Sequence, residues 1–506
     1  MTGFGGWWAG VRAMKSGPDA HRLIVRGGAS AALGYVVRFG ARLLFLFIAA
    51  RLFGAALFGA YSLALAAVEL AVAVAGLGMK RFLFKLLEER PSGRPAAHVV
   101  LDAALLVLGA SLTIAAAVML AVLLLPAATI AANTRIAILV VAPMIAGQAL
   151  IDLFLAATRW KHRMRYEVAA RSIVEPYAGI AAAGAAYMAG FTETGLLISY
   201  WAGTLAALAY AAAGTRRCYG GFGLRHYRPV PRALVQILRA SALATSSDFI
   251  NGLFARLDLY LVGIFLGEAP AGIYNMARQV RTPVRQVRQG FDGLLTPILA
   301  RTLAAHGPVH TGTATASASR LILALQLPIL VSLIAIGLPL LQWFGPEFAA
   351  GFAALIILAA AETIHGAFGV SDLILLYRRP ALSLAVTSAC IAVNLAAAWL
   401  LIGRYGLDGA AWSVLIASLA GALLRRILLR SGFGIIVPLA YSAGPAVAAA
   451  AATAVVLAIA HLLAPASTAI ASGAALVAGL AAYAATLKLW LSATGDRLSL
   501  TNLQME

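Results

Sequence analysis

Residues 271–298 of the chain read AGIYNMARQVRTPVRQVRQGFDGLLTPI. The stretch carries four arginines at helical spacing: Arg278, Arg281, Arg285 and Arg288. At about 100° per residue they lie within an arc of roughly 80°, which predicts a stripe on one face of a single helix. An arginine at the centre of a bilayer costs about 2.5–3.5 kcal/mol on insertion scales. The segment therefore either lies outside the membrane or turns its stripe toward water and a negatively charged group.

The rest of the chain has the composition of a membrane protein. Its 506 residues are 62% hydrophobic and 11% charged, with a mean hydropathy of +0.89. These values indicate an all-α polytopic membrane protein. The net charge of +20 follows from basic cytoplasmic loops rather than from nucleic-acid binding. Cys218 and Cys390 match no paired spacing, so no disulfide or metal site is expected.

Apolar runs bounded by charged residues, glycine and proline predict about fourteen transmembrane helices. They lie near 28–50, 57–79, 97–125, 134–157, 167–189, 194–214, 236–266, 271–298, 320–344, 350–377, 381–402, 408–424, 438–461 and 468–490. The eighth, which contains the stripe, does not stand out by hydropathy.

The charge of the loops predicts the orientation and also bears on the stripe. Basic clusters recur on one side of the predicted membrane, at 80–94, 159–165, 216–232, 378–379 and 425–430. The positive-inside rule makes this side cytoplasmic, together with both termini. If 271–298 did not cross, the last two clusters would face outward. We therefore expect the stripe inside the membrane, in a bacterial inner-membrane protein.

An internal repeat divides the predicted helices into two halves. GAALFGAYSLA at 54–64 and GEAPAGIYNMA at 267–277 share two glycines, a tyrosine and an alanine at an offset of 213, and Gly195 and Gly409 follow at 214. An even number of helices between the copies predicts a parallel repeat. The expected organisation is a cytoplasmic segment 1–27, an N-lobe 28–214, a basic linker 215–235, a C-lobe 236–430, two extra helices in 431–490 and a cytoplasmic tail 491–506.

Four stretches carry a resemblance to a known family: ARLFGAALFGAYSLALA at 50–66, RLDLYLVGIFLGEAPAGIYNMA at 256–277, LLTPILAR at 294–301 and YGLDGAAWS at 405–413. With them the chain resembles the polysaccharide-biosynthesis flippases of the multidrug/oligosaccharidyl-lipid/polysaccharide exporter superfamily. The resemblance implies two six-helix bundles around a central cavity that opens alternately to each side. It also implies a polyprenyl-diphosphate-linked oligosaccharide as cargo, with membrane lipid around its tail. Polysaccharide polymerase and chain-length proteins are candidate partners, and the sequence leaves their association open.

The arginines allow two interpretations. Guanidinium groups match phosphate oxygens bidentately, so the stripe would bind the diphosphate, joined by Arg38 and Arg42 one turn apart in the first helix. Alternatively the stripe pairs internally with Asp258 and Asp292 and holds the two halves together. Two carboxylates cannot neutralise four arginines, which favours substrate binding.

Carboxylates inside predicted helices are either structural ion pairs or sites that couple transport to protons or sodium. The acids that stand out within the predicted helices are Glu69, Asp102, Asp152, Glu175, Asp248, Glu362 and Asp372. The candidates for coupling or for pairing with the arginines are Glu69, Asp102, Asp258 and Asp292. Glu69 is the first choice for coupling because its sequence neighbours are apolar. No other cofactor is expected.

Three alternative functions remain at this stage. A lipid-linked peptidoglycan precursor also carries a diphosphate, so its flippase would need the same cationic wall. A cation-coupled multidrug exporter would require an anionic or apolar pocket. The chain has no phosphate-binding loop and no G-x-S-x-G motif, and its outward loops are short, which argues against a membrane glycosyltransferase, polymerase or ligase.

Overall fold

A computed structural model describes residues 18–89, 95–126, 129–221, 227, 231–463 and 468–494. Side chains are described from Phe39 onward, except at 81, 231–237, 239–240, 242–244, 293–294, 296–297 and 468–469. All regular secondary structure in these residues is helical. The first half contains α1 (Pro18–Ala75), α2 (Met79–Glu89), α3 (Ala96–Leu124), α4 (Ala132–Val141), α5 (Met144–Trp160), α6 (Arg165–Ala169), a π-helical segment (Ala170–Val174), α7 (Glu175–Met188) and α8 (Gly195–Cys218).

The second half repeats this pattern of long and bent helices. It contains α9 (Pro231–Phe254), α10 (Leu257–Leu266), α11 (Glu268–Val280), α12 (Thr282–Phe344), a 3-10 turn (Pro346–Gly351), α13 (Phe352–Phe368), α14 (Val370–Arg378), α15 (Pro380–Phe433), a second 3-10 turn (Leu439–Ser442), α16 (Ala443–Leu462) and α17 (Thr468–Thr494).

Helix α1 is two helices joined at Gly54, whose φ of 72° is not helical. The equivalent residue of the repeat, Gly267, has a φ of 92° and separates α10 from α11. L side chains rarely adopt such dihedrals, so glycine is required at both turns. Similar breaks at Gly307 and Gly406 divide α12 and α15.

The fold is that of a multi-pass membrane protein. Eight helices of the described residues are long and apolar enough to cross a bilayer, and two bent pairs, Ala132–Val141 with Met144–Trp160 and Thr245–Phe254 with Leu257–Leu266, would raise the number to ten. The predicted helical regions all contain helix, whereas a count of fourteen crossings stays a prediction. The stripe segment is again not among the apolar helices, because its arginines lower its hydropathy.

The stripe does not lie on one continuous helix. Helix α11 ends at Val280, Arg281 has a ψ of −11°, and α12 begins at Thr282 with Pro283 in its first turn. The first turn of a helix tolerates a proline, because an N–H group at this position would have no carbonyl partner within the helix.

The two halves meet where α11 crosses the second part of α1. A Cβ atom added to Gly59 would lie 1.8 Å from the carbonyl oxygen of Glu268, and one added to Gly272 would lie 2.1 Å from that of Ala55. The backbones therefore touch at a pair of glycines that the repeat relates to each other. Such small-residue crossings are a common way for membrane helices to pack closely.

The apolar core joins the halves. The largest buried cluster includes Phe58 and Val68 of α1 together with Tyr274 of α11 and Leu355 of α13. The C-terminal helices α16 and α17 pack on each other and on α12, with a separate cluster around Leu323 and Val456. They lie outside the α1–α11 contact, as expected for an addition to the repeat.

Candidate substrate-binding cavity

A cavity of about 460 Å³ lies on the same side of the glycine crossing as the stripe, between α1 and the α10–α12 region. Its polar lining is rich in guanidinium and amide groups, and its walls include Arg42, Ser62, Glu69, Arg256, Asn275, Arg278, Gln279, Arg281, Thr282, Arg285, Gln286 and Gln289. Five of these residues are arginines and only one is a carboxylate. We call this the cationic cavity.

Arg278 is held by a buried carboxylate behind the cavity wall. Its Nε lies 3.1 Å from Oδ2 of Asp258, and its Nη2 donates to the carbonyl oxygen of Ala255. Tyr274 donates from its hydroxyl to the same Asp258 oxygen at 3.1 Å. The predicted pairing of Asp258 with the stripe is therefore present, and Arg278 presents less than its full charge to the cavity.

Arg281 pairs with a carboxylate from another helix. Its Nη1 lies 3.7 Å from Oε2 of Glu362 and donates to the carbonyl oxygen of Leu358 at 3.3 Å. Both partners belong to α13, so this ion pair also connects the stripe to α13 within the second half. The long distance makes it a weaker anchor than the pair of Arg278.

Arg285 keeps its charge for the cavity. Within the described part of the chain no carboxylate lies at ion-pairing distance from it, and Glu362, the acid that acts on it electrostatically, is paired with Arg281. Arg42 lines the same cavity from α1 and donates from Nη2 to the side-chain oxygen of Gln279. The cavity therefore retains the positive charge of Arg285.

Arg288 is oriented differently from the other three. It does not line the cationic cavity, and its Nη1 and Nη2 donate to the carbonyl oxygens of His365 and Gly369 at 3.0 and 3.1 Å. Its Nε lies 3.3 Å from Oδ1 of Asp292. Arg288 thus bridges the junction of α13 and α14, as a second donor to carbonyl oxygens that also accept the backbone N–H groups of Gly369 and Asp372. This orientation differs from the predicted substrate contact: Arg288 lies on the same edge of the stripe as Arg281, and both contact α13.

The remaining predicted residues have distinct surroundings. Glu69 forms an ion pair with Arg256 across the two halves, so its spatial neighbours are not apolar as its sequence neighbours are. Asp102 is buried in α3 and accepts a hydrogen bond from the Tyr227 hydroxyl at 2.8 Å, away from the cavity. The side chain of Arg38 lies outside the described residues. In the described residues no group of three His, Cys, Asp or Glu side chains could hold a metal ion.

A second cavity of about 420 Å³ continues the first into the N-terminal half. The two share Arg42, Glu69 and Arg256. Its additional walls come from α2, α5, α7 and α8, and include Lys80, Gln148, Asp152, Arg171, Glu175, Tyr200 and Thr204. We call it the N-half cavity.

Sequence reasoning missed the centre of this second cavity, Arg171, and the polar amides of the first. The signal for Arg171 was present, because it precedes Glu175 by one helical turn inside an otherwise apolar segment. Its contact with Asp152 joins two separate helices and has no signature in the sequence. Glu362 was visible as an intramembrane acid, but nothing indicated that it would face the stripe.

A helical membrane protein with two repeated halves and a cationic cavity between them has the architecture of an exporter-type transporter. The chain belongs to the polysaccharide biosynthesis protein family, whose model matches residues 24–302, more than half of its length. It is also 26% identical over 106 residues to the teichuronic acid biosynthesis protein TuaB of Bacillus subtilis (strain 168), a segment that covers 21% of this chain and 22% of that relative.

Solved structures show the same fold. The lipid II flippase MurJ in an inward closed conformation matches with a TM-score of 0.74 at 15% identity, over 92% of this chain and all of that one. An inward-facing multidrug resistance MATE family transporter of the MOP superfamily matches with a TM-score of 0.65 at 14% identity, over 78% of this chain and 94% of that one. Together with the family match, these similarities confirm the resemblance that the sequence suggested.

Proposed function

We propose that the protein is a flippase that moves a polyprenyl-diphosphate-linked oligosaccharide across the bacterial inner membrane for surface polysaccharide biosynthesis. Both termini are cytoplasmic, and the cavity opens alternately to the two sides. The polyprenyl tail stays in the bilayer, and no chemical bond of the cargo changes. The observation that carries the proposal is Arg285, a cavity arginine whose neighbouring carboxylate is already engaged by Arg281.

The electrostatics of the cavity favour a phosphorylated headgroup. Three of its arginines are balanced, since Arg256 pairs with Glu69, Arg278 with Asp258 and Arg281 with Glu362. The positive charge of Arg285 then faces a partly enclosed space, where an anion is attracted more strongly than in bulk water. A diphosphate accepts paired hydrogen bonds from guanidinium groups, so Arg285 and Arg42 would hold it from opposite halves.

The test replaces Arg285 by alanine in cells that depend on this protein for polymer export. Loss of surface polymer, with normal amounts of inserted protein, is the expected result, and Arg42→Ala should act in the same direction. Arg404→Ala is the matched control, because Arg404 is an exposed arginine outside the cavity. Normal export by Arg285→Ala would contradict the proposal.

The charge of the cavity distinguishes between the candidate cargoes. A lipid-linked peptidoglycan precursor also carries a diphosphate and fits the same charge, so purified protein in liposomes should be offered both lipids. A cationic drug would meet the wrong sign of charge at Arg285. Coupling to protons or sodium would involve the pair of Glu69 and Arg256, and dependence of flipping on each ion gradient tests this part separately.

A further inference from the structure

The N-half cavity differs from the cationic cavity in the balance of its charges. Arg171 lies at its centre, in the π-helical segment between α6 and α7. Its Nη1 donates to Oε2 of Glu175 at 2.8 Å and to Oε1 of Gln148 at 2.9 Å, and its Nη2 lies 2.5 Å from Oδ1 of Asp152. Isolated π-helical turns are frequent at functional sites.

The other members complete a closed network. Lys80 lies 2.7 Å from the second oxygen of Asp152, and the amide of Gln148 donates to Glu175 at 3.0 Å and to Thr204 at 3.1 Å. Within this network two cations thus face two carboxylates, so the charges of its own members balance. In the cationic cavity Arg285 has no carboxylate at ion-pairing distance among the described residues, whereas Arg171 and Lys80 both have one. This is the main difference between the two cavities.

These polar groups remain accessible to a ligand. The side chains of Asp152, Arg171 and Glu175 keep 16%, 20% and 25% of their surface exposed. Carboxylate and amide oxygens with free lone pairs can accept hydrogen bonds from hydroxyl groups. Tyr61 and Tyr200 add aromatic surface to the same cavity, and its volume is within the range of small-molecule sites.

From this arrangement we infer that the N-half cavity binds the saccharide next to the diphosphate and selects an uncharged sugar over an acidic one. The inference rests on the proposed function. A neutral sugar loses hydrogen bonds to water when it binds and gains hydrogen bonds to the cavity wall. The ion pairs of the wall stay intact. A uronic acid would bring a carboxylate beside Glu175 and Asp152, and its desolvation would not be compensated because Arg171 is already paired.

The experiment measures flipping in liposomes with two probes. One is a polyprenyl diphosphate that carries a neutral N-acetylhexosamine disaccharide, and the other has a hexuronic acid in place of the first sugar. The wild-type protein should flip the neutral lipid faster. Glu175→Gln frees Arg171 for an acidic sugar, and the neutral-to-acidic rate ratio should fall by about tenfold, equivalent to about 1.4 kcal/mol.

Glu175→Asp is the matched control, because it keeps the charge and should keep the preference. Asp152→Asn provides a second variant should Glu175→Gln fail to insert, with the same expected change in ratio. Equal rates for both lipids in the wild type, or an unchanged ratio in both neutralised variants, would overturn the inference. Absence of flipping for both lipids would instead contradict the proposed function, so the two failures are distinguishable.

Discussion

Asn275 donates a hydrogen bond from Nδ2 to the Ser62 hydroxyl at 2.8 Å, and the two residues are 213 positions apart. This separation is the offset of the internal repeat, so the bond joins equivalent positions of the two copies. Gly59 and Gly272 meet by the same relation one turn earlier. The two halves therefore contact each other through a pseudo-symmetric crossing of α1 and α11, next to the cationic cavity.

The glycine crossing predicts a steric effect of a single methyl group. In Gly272→Ala the new Cβ would lie about 2.1 Å from the Ala55 carbonyl oxygen, so the backbones must separate. We expect a loss of stability of about 1–3 kcal/mol, typical of overpacking. Thermal unfolding of the detergent-purified protein measures it. Gly290→Ala is the control, since its Cβ would meet open space; equal melting temperatures for the two variants would contradict the crossing.

Substitutions of two stripe arginines, Arg288 and Arg285, are expected to affect stability and transport differently. Arg288→Ala removes the donor to two carbonyl oxygens at the end of α13, and should cost about 1.5–3 kcal/mol, as for hydrogen bonds from a charged group. Arg285→Ala should leave the unfolding midpoint nearly unchanged while abolishing flipping. Thermal unfolding and liposome flipping of both variants provide the comparison. Equal destabilisation by the two substitutions would contradict the different roles.

Much of the fold was predictable because it depends on local patterns. The turns at Gly54 and Gly267 follow from glycines at equivalent positions, and the apolar runs predicted the helical segments. Loop charge also predicted that the stripe lies inside the membrane, and this stays a prediction. Each of these features depends on residues that are close together in the chain, or on an offset that the sequence displays directly.

The orientation of individual arginines was less predictable. A helical wheel places all four arginines on one face, but it does not say which helix each edge of that face meets. Arg281 and Arg288 both contact α13, and Arg285 lines the cavity. Pairings such as Arg171 with Asp152 connect different helices, and a single sequence carries no information on which helices become neighbours.

Glu268 forms a second contact between the halves that should control opening. Its Oε1 accepts hydrogen bonds from the backbone N–H and the hydroxyl of Thr134, each at 2.7 Å, and its Oε2 accepts from Asn133 at 3.0 Å. These residues lie in the first turn of α4, where a carboxylate is favoured by the helix dipole. Glu268→Gln should weaken the contact and increase opening toward the extracytoplasmic side.

Labelling of a cysteine introduced by the substitution Asn275→Cys measures this opening. Asn275 is buried, and Cys218 and Cys390 would first be replaced by alanine. A membrane-impermeant maleimide added to intact cells should label the engineered cysteine faster in the Glu268→Gln background. Glu347→Gln, at an exposed acid, is the control. Unchanged labelling in the Glu268→Gln background would show that this contact does not hold the outer side closed.

The pair of Glu69 and Arg256 connects the halves on the other side of the crossing, where both residues line the cationic cavity, the N-half cavity and a third cavity that reaches Lys80 and Asp248. Reversing one charge, as in Glu69→Arg, places two cations together and should slow flipping strongly. The double variant Glu69→Arg with Arg256→Glu restores opposite charges and should recover much of the rate, since coupled residues are not additive. Liposome flipping assays on the two single variants and the double variant measure this. If the double variant flips lipid no faster than the slower single variant, the two charges act separately. Glu69 would then be needed as a carboxylate at this position, whether or not it pairs with Arg256.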